Sequence, residues 1–339
     1  MHERFIDYLV CPETKEPLTI KSVRESKGSF IKEGVLVNNR GDEYPIRGFI
    51  PRFTGDSYAY NFTLEWEKHP TILDELISSY SLYRKRFAEE TKWEENLLGE
   101  LVLEAGCGPG SLTPFPLERG ATVISFDMSS SVEVTHKKIG LNENSLVLQA
   151  SIFSMPFPAE KFDKCFCFGV LQHTPDPQKA FQELVTMLKP SGKISADSYI
   201  APNPTGDSGH RILRAKYRFR KIIPNLTPKT LHFLVRQYVN ILFPIAYVAR
   251  SLPGEFGHAG LEFMKNLMID DYCSRLVGMD VAKHKEFAVL DIFDFLSPMY
   301  DIPQTLEQFR DCFEKAGLTE IDVHLGYNGI EGRATKPLK

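Results

Sequence analysis

Leu101-Val-Leu-Glu-Ala-Gly-Cys-Gly-Pro-Gly110 sets an acid, Glu104, near the end of a hydrophobic run and three glycines, Gly106, Gly108 and Gly110, in the turn after it. A second hydrophobic run, Val123-Ile-Ser-Phe, ends in Asp127, seventeen residues beyond the last glycine. The order reads strand, tight turn, helix, strand, acid. Glycines let a backbone approach a ligand closely, and an acid closing the second strand accepts hydrogen bonds from both hydroxyls of a ribose. These residues together point to a ribose-bearing ligand at the carboxyl edge of a parallel sheet.

Spacing separates two ribose ligands. A dinucleotide turn is G-x-G-x-x-G, with pyrophosphate on a helix N-terminus. Here the third glycine comes one residue early and Ser111 holds the dinucleotide position. Glu104 would repel pyrophosphate, whereas it suits a cation such as S-adenosylmethionine, with its sulfonium and amino groups. The stretch resembles motif I of class I S-adenosylmethionine-dependent methyltransferases, E/D-x-G-x-G-x-G. The likeness continues in order. Leu146 to Ile152 looks like the third strand and the turn on the adenine side. Phe162 to Pro177 looks like the fourth strand and its loop, Phe181 to Leu188 the next helix, Leu188 to Lys193 a turn, and Ile194 to Tyr199 the fifth strand. The resemblance implies S-adenosylmethionine as cofactor, held by Glu104, Gly106, Gly108, Gly110, Asp127, Met128 and Gly169. Many such enzymes place an acid after the third strand. This chain has Gln149-Ala-Ser151 there, so the Ser151 hydroxyl or the Ile152 backbone is expected at the adenine amino group.

The elements that must position these residues give an α/β fold: a Rossmann-like seven-stranded methyltransferase sheet with a small N-terminal β domain and a helical cap insertion. Residues 1–55 read as a separate unit similar to the zinc-ribbon-like domain ahead of some bacterial methyltransferases, through Leu9-Val-Cys-Pro12 and Tyr44 to Pro51. Thr14 stands where a second cysteine ligand would be, and no other cysteine precedes Cys107, so the ribbon is degenerate and no metal is expected. Its core is expected from Leu18, Ile20, Phe30, Ile31, Val35 to Val37 and Tyr44 to Ile50. Residues 56–100 read as a helical linker or lid, with helices near Ile72–Ser79 and Leu82–Glu90. Its Tyr58 and Tyr60 either cover the sulfonium through cation–π attraction or dock the linker. Residues 101–200 are the cofactor-binding core and 201–290 a helical cap. Residues 291–339 return to the core, with Thr305 capping a helix to Ala316 and strands at Leu318–Leu325 and Gly329–Ala334.

Methyl transfer needs an aligned nucleophile and, for a hydroxyl, a base. His173, in Gly169-Val-Leu-Gln-His-Thr174 after the fourth strand, is the candidate base; its other reading is to position that loop. Tyr199, His210, Arg211, Asp294, Tyr300 and Asp301 are candidate acceptor contacts. From His210 to Gln237 the chain carries eight Lys and Arg residues and no acid. That suggests an anionic acceptor, or peripheral contact with a membrane. The fold family points to a small-molecule or saccharide-like acceptor methylated on oxygen or nitrogen. A non-catalytic S-adenosylmethionine-binding protein and a nicotinamide oxidoreductase are the alternatives, the second disfavoured by glycine spacing.

Bulk properties exclude some classes. The net charge of −4 argues against nucleic acid. Six scattered cysteines without paired metal spacing, and no signal-like apolar core at the start, suggest a cytoplasmic protein. The longest apolar stretch, Tyr238 to Ala249, is too short to span a bilayer.

Overall fold

Strands that are apolar on both faces need helices on both sides of a sheet. The computed structural model describes residues 1–55, 57–69, 81–202, 217, 220, 226–266, 269 and 280–338. Two compact units emerge. One comprises Met1–Ala59, Tyr80–Ala201 and Tyr300–Lys339; the other comprises Tyr60–Ser79 and Pro202–Met299.

The first unit opens with an antiparallel sheet of β1 (Thr19–Lys27), β2 (Phe30–Val37), β3 (Glu43–Arg47) and β4 (Ile50–Pro51), in that spatial order. Every residue of β1 is exposed, and Lys21, Arg24, Glu25 and Lys27 give this edge the charge that discourages edge pairing. Ile20, expected in the core, is instead 36% exposed for that reason. Leu18, Ile31, Leu36 and Ile46 are buried as their pattern requires. The stretch 1–55 is not a separate unit, however. Phe5, Leu9, Leu18 and Leu36 share one apolar cluster with Ile124, Phe126, Leu148 and Phe157. β4 also leads into the edge of the main sheet. Arg52 bridges Gln149 in parallel, the Phe53 N–H donates to the Gln149 carbonyl at 2.8 Å, and Arg52 Nη1 donates to Gln149 Oε1 at 2.9 Å.

The main sheet is built from β5 (Leu101–Ala105), β6 (Thr122–Asp127), β7 (Ser145–Gln149), β8 (Phe162–Cys167), β9 (Leu188–Ser198), β10 (Thr319–Gly326) and β11 (Gly329–Thr335). Its order is β10-β11-β9-β8-β5-β6-β7, with β5 to β9 parallel and the β10–β11 hairpin antiparallel. This is the expected seven-stranded methyltransferase sheet. β9 starts at Leu188, so the Lys189 to Lys193 stretch read as a turn lies within the strand, where the β8–β9 register shifts.

Helix signals were equally local. Asp176 accepts from the Lys179 N–H at the start of Pro177–Met187, with Pro177 in the first turn. Thr305 and Gln308 form a reciprocal capping box on Leu306–Lys315.

The second unit holds α1 (Tyr60–Lys68), α2 being the first unit's Ser81–Thr91. Three further first-unit helices are α3 (Pro114–Glu118), α4 (Val132–Ile139) and α5 (Pro177–Met187). The second unit then adds α6 (Pro228–Arg250), α7 (Gly254–Asn266) and α8 (Val281–Leu296). Leu64 of α1, Val235, Val239 and Phe243 of α6, and Ala288, Val289, Ile292 and Phe293 of α8 form its apolar cluster. Two sequence boundaries move accordingly. The linker 56–100 divides between the units, and the core resumes at Tyr300 rather than at 291, because the apolar face of α8 is buried within the helical unit. The helix expected at Ile72–Ser79 lies outside the described residues.

Candidate active site

The glycine turn is fixed from both sides. The N–H groups of Gly106 and Cys107 donate to the Phe126 carbonyl at 2.8 and 3.0 Å, tying the turn to β6. Gly106 sits at φ 73°, and a Cβ there would stand 2.2 Å from Val170 Cγ2. Gly110, also at φ 73°, would drive a Cβ to 2.7 Å from Thr135 Cγ2. Both positions therefore exclude a side chain by backbone conformation and by space. Thr135 Oγ1 donates to the Gly108 carbonyl at 2.6 Å, locking α4 onto the turn.

Asp127 ends β6 with its carboxylate held in place. Oδ2 accepts the Gly108 N–H at 2.9 Å, and Oδ1 accepts the N–H and hydroxyl of Ser129 at 2.8 and 2.7 Å. Those bonds aim a half-buried acid beside the turn, as binding a ribose diol requires. Glu104 is deeper, 3% exposed, and its Oε2 accepts from the hydroxyls of Thr113 and Ser125, each at 2.6 Å. Burial pushes its carboxyl up to about 7, despite those two donors. A nearby cation would favour its ionised form.

The adenine-side candidates line the neighbouring edge. The Met128 carbonyl accepts from Gln149 Nε2 at 2.8 Å, and that same Gln149 is the residue grasped by Arg52. Ser151 uses its Oγ to accept the Phe153 N–H at 3.2 Å, so its side chain shapes the turn. Ile152 places its side chain in the main core.

Across the sheet, the loop after β8 brings the chemical candidates together. Gly169, at φ 73°, donates its N–H to Asp197 Oδ1. Asp197 is fully buried in β9 and also accepts from Arg86 Nη2 at 2.7 Å and Asn328 Nδ2 at 3.1 Å. Burial pushes this acid up, and the Arg86 guanidinium opposes that push. His173 ends the short helix Leu171–His173 and is 7% exposed. Its ring packs edge-on against Tyr199 at 5.4 Å, and its Nδ1 lies 3.1 Å from the Tyr300 carbonyl. A carbonyl only accepts, so that contact places a ring proton on Nδ1. Tyr58 meets Tyr300 edge-on at 5.3 Å. Burial, with the Asp127 charge adding to it, pushes the Tyr58 phenol up to about 12, so it remains a donor at neutral pH.

The structure thus groups Tyr58, Asp127, His173, Tyr199 and Tyr300 within the first unit, where Asp301 also lies. Tyr60, 39% exposed, and Asp294, in α8, belong to the second unit. His210 and Arg211 lie outside the described residues.

Asp197, Arg86 and Gln172 contribute here without a local sequence motif to mark them. Asp197 and Arg86 pin the His173 loop; an acid inside a buried strand was the available signal. Gln172 is fully buried, and neither its Nε2 nor its Oε1 has a hydrogen-bond partner. Ser111 Oγ, beside the turn, is buried and unpartnered as well. Orphaned polar atoms around a glycine cradle are what a bound ligand would satisfy. The cradle, the aimed Asp127 and the absence of any phosphate-binding glycine spacing all fit S-adenosylmethionine.

Cys11, in the N-terminal stretch, is held by hydrogen bonds. Sγ lies 3.2 Å from the Tyr44 hydroxyl and accepts the Thr14 N–H at 3.5 Å. Among the described residues no group of three His, Cys, Asp or Glu is arranged to hold a metal.

Comparison with known proteins agrees on the domain. Residues 103–196 match the family model described as a methyltransferase domain. The ubiquinone biosynthesis O-methyltransferase of Pseudomonas fluorescens (strain Pf0-1) is 33% identical over 103 residues, 29% of this chain and 44% of that protein. The enzyme of the same name from Coxiella burnetii (strain Dugway 5J108-111) is 33% identical over 100 residues, 29% of this chain and 43% of that one. The chain therefore spans less than half the length of these relatives. Human N-acetylserotonin methyltransferase in complex with S-adenosylmethionine shares 12% identity at a TM-score of 0.44, covering 81% of this chain and 59% of that one. Residues 103–196 are a methyltransferase domain, and its cofactor is S-adenosylmethionine.

Proposed function

We propose that this protein methylates an oxygen or nitrogen of a small, saccharide-like acceptor, with His173 taking the acceptor's proton. The observation that carries the reading is the His173 Nδ1 contact to the Tyr300 carbonyl, which orients the ring and leaves Nε2 as the base. When bound, S-adenosylmethionine supplies a methyl group activated by its sulfonium. Asp127 and the glycine turn hold the ribose, and the buried Glu104 offers a counter-charge to the cationic end. Tyr58 and Tyr300 form an aromatic wall beside Asp127 that excludes water. His173 Nε2 would remove and hold the acceptor's proton. Tyr199 and Asp301 are the proposed orienting contacts for further acceptor hydroxyls. The names of the Pseudomonas and Coxiella relatives support oxygen as the methylated atom.

The test is a panel of hydroxylated and aminated metabolites assayed for S-adenosylhomocysteine release, with wild type beside His173→Ala. Release with one acceptor class that His173→Ala abolishes, at unchanged S-adenosylhomocysteine affinity, supports the reading. Equal turnover by the variant removes His173 from the chemistry. Tight S-adenosylhomocysteine binding with no turnover of any acceptor favours the non-catalytic binding protein.

A further inference from the structure

A helix packed on one side of a globular unit ordinarily turns charged or polar residues to the other side. α6 does not. Its inner stripe, Leu231, Val235, Val239, Phe243 and Ala246, is buried in the helical unit's core. Its outer stripe runs Leu234, Tyr238, Ile241, Ile245, Val248 and, just past the helix end, Leu252. These six recur at spacings of four and three and are 38–65% exposed. Such a continuous exposed apolar row marks an interaction surface rather than ordinary surface composition.

Charge identifies the occupant. Residues 227–254, which contain α6, hold three Lys and Arg and no Asp or Glu, in a chain whose net charge is −4. Within α6 the charges are Lys229, Arg236 and Arg250, and Arg236 is already paired with Glu286 of α8 at 2.9 and 2.8 Å. A second copy of this chain packed on the stripe would set basic edge against basic edge, with no acid on the helix to pair across the seam. A surface of anionic lipid headgroups complements both features: the headgroups take the Lys229 and Arg250 charge at the two ends of the helix, and the acyl boundary takes the apolar row. Spanning is not the mode, since among the described residues no helix is long and apolar enough to cross a membrane.

We propose that α6 is a peripheral docking helix that lays its Leu234-to-Leu252 row into the headgroup–acyl boundary of an anionic bilayer. The inference goes beyond methyl transfer and does not depend on it. Flotation of the full chain with two vesicle types tests it: phosphatidylcholine alone, and phosphatidylcholine with an equal part of phosphatidylglycerol. The wild type is expected to partition onto the anionic vesicles at least about tenfold better than onto the neutral ones, and less well at high salt. Ile241→Glu/Ile245→Glu/Val248→Glu should abolish that binding while leaving S-adenosylhomocysteine affinity unchanged in calorimetry, which shows the fold intact. Val248→Glu alone should weaken it partially and serves as the readout if the triple variant does not fold. Lys229→Gln/Arg250→Gln should bring anionic binding towards the neutral level. Absence of flotation by the wild type, or flotation by a folded glutamate variant equal to wild type, overturns the proposal. A wild-type dimer that ignores vesicles and becomes monomeric in the triple variant overturns it too, by showing that the row is a self-interface.

Discussion

The two halves of the candidate site are built in different ways. On the turn side, Glu104, the three glycines and Asp127 come from twenty-four consecutive residues and are set by hydrogen bonds within them and to the nearby Ser129 and Thr135. On the loop side, His173, Tyr199, Tyr58 and Tyr300 come from four separate segments and are set by a buried acid, a guanidinium and edge-on rings. The turn side has the residue types of a ligand cradle. The loop side has those of proton transfer and orientation. If the division is functional, substitutions on one side should move cofactor affinity and those on the other should move turnover.

The largest effect is expected on the loop side. His173→Ala should lower kcat by about 100- to 10,000-fold, the range of a lost general base. S-adenosylhomocysteine affinity should stay within about twofold, since Nε2 would face only the acceptor. The acid limb of the pH–rate profile should disappear with it. A parallel loss of affinity would make His173 part of the cradle and erase the distinction.

Next comes Gly106→Ala. The added Cβ would clash with Val170 at 2.2 Å, in a left-handed conformation that alanine resists. Val170 belongs to the His173 loop, so this is the one substitution expected to damage both halves together. Unfolding free energy should fall by about 3 kcal/mol, read by denaturant titration, from overpacking and strain combined. Near-wild-type stability would mean that the loop yields easily, and that the halves are not coupled through Val170.

That coupling also shows what the sequence made legible. The succession of strands along the chain, the glycine turn, Asp127 at the end of a strand, the Thr305 cap and the final hairpin follow from neighbours a few residues apart, and the structure has them all. The Asp197–Arg86–Gly169 cluster rests on a bond between residues 111 positions apart, Arg86 and Asp197, and no periodicity records such a pairing. Phe287 to Leu296 was legible as aromatic and acidic but not as helical-unit material, because its partners there, Val235 and Val239, are far outside any local pattern. Arg52 was likewise silent. Its role depends on β4 meeting the edge of β7 at Gln149, a contact made by tertiary packing alone.

Asp127→Ala should act on the turn side only, weakening S-adenosylhomocysteine by about 1.5–3 kcal/mol, the worth of charge-assisted hydrogen bonds. Unchanged affinity in a calorimetric titration would remove Asp127 from the ribose.

Glu104 sharpens the same half through pH. Burial holds its carboxyl near about 7 in the free protein, so below that value a cationic ligand must first ionise it. Affinity for S-adenosylhomocysteine, whose amino group is positive, should therefore rise about tenfold between about pH 6 and about pH 8. Glu104→Gln should flatten that slope. For the fold alone the sign is opposite. A raised carboxyl favours the folded state at low pH, and this stability is lost as pH rises from the unfolded value through about 7. A wild-type affinity that is flat over this range would place Glu104 out of reach of the ligand's charge.

The smallest effect tests the seam between the halves. Tyr300 offers two different things: its carbonyl orients His173, and its ring meets Tyr58, whose phenol feels the Asp127 charge. Tyr300→Ala keeps the carbonyl and removes the ring. The lost edge-on contact is worth about 1 kcal/mol, so thermal stability should change little. If the ring is an acceptor wall, KM for the acceptor should rise several-fold with S-adenosylhomocysteine affinity intact. If its function is to hold Tyr58 over the cofactor edge, affinity for S-adenosylhomocysteine should fall instead while acceptor KM holds steady. A loss of affinity and stability together would make this stretch scaffold, and the acceptor wall would then have to be sought on residues other than Tyr300.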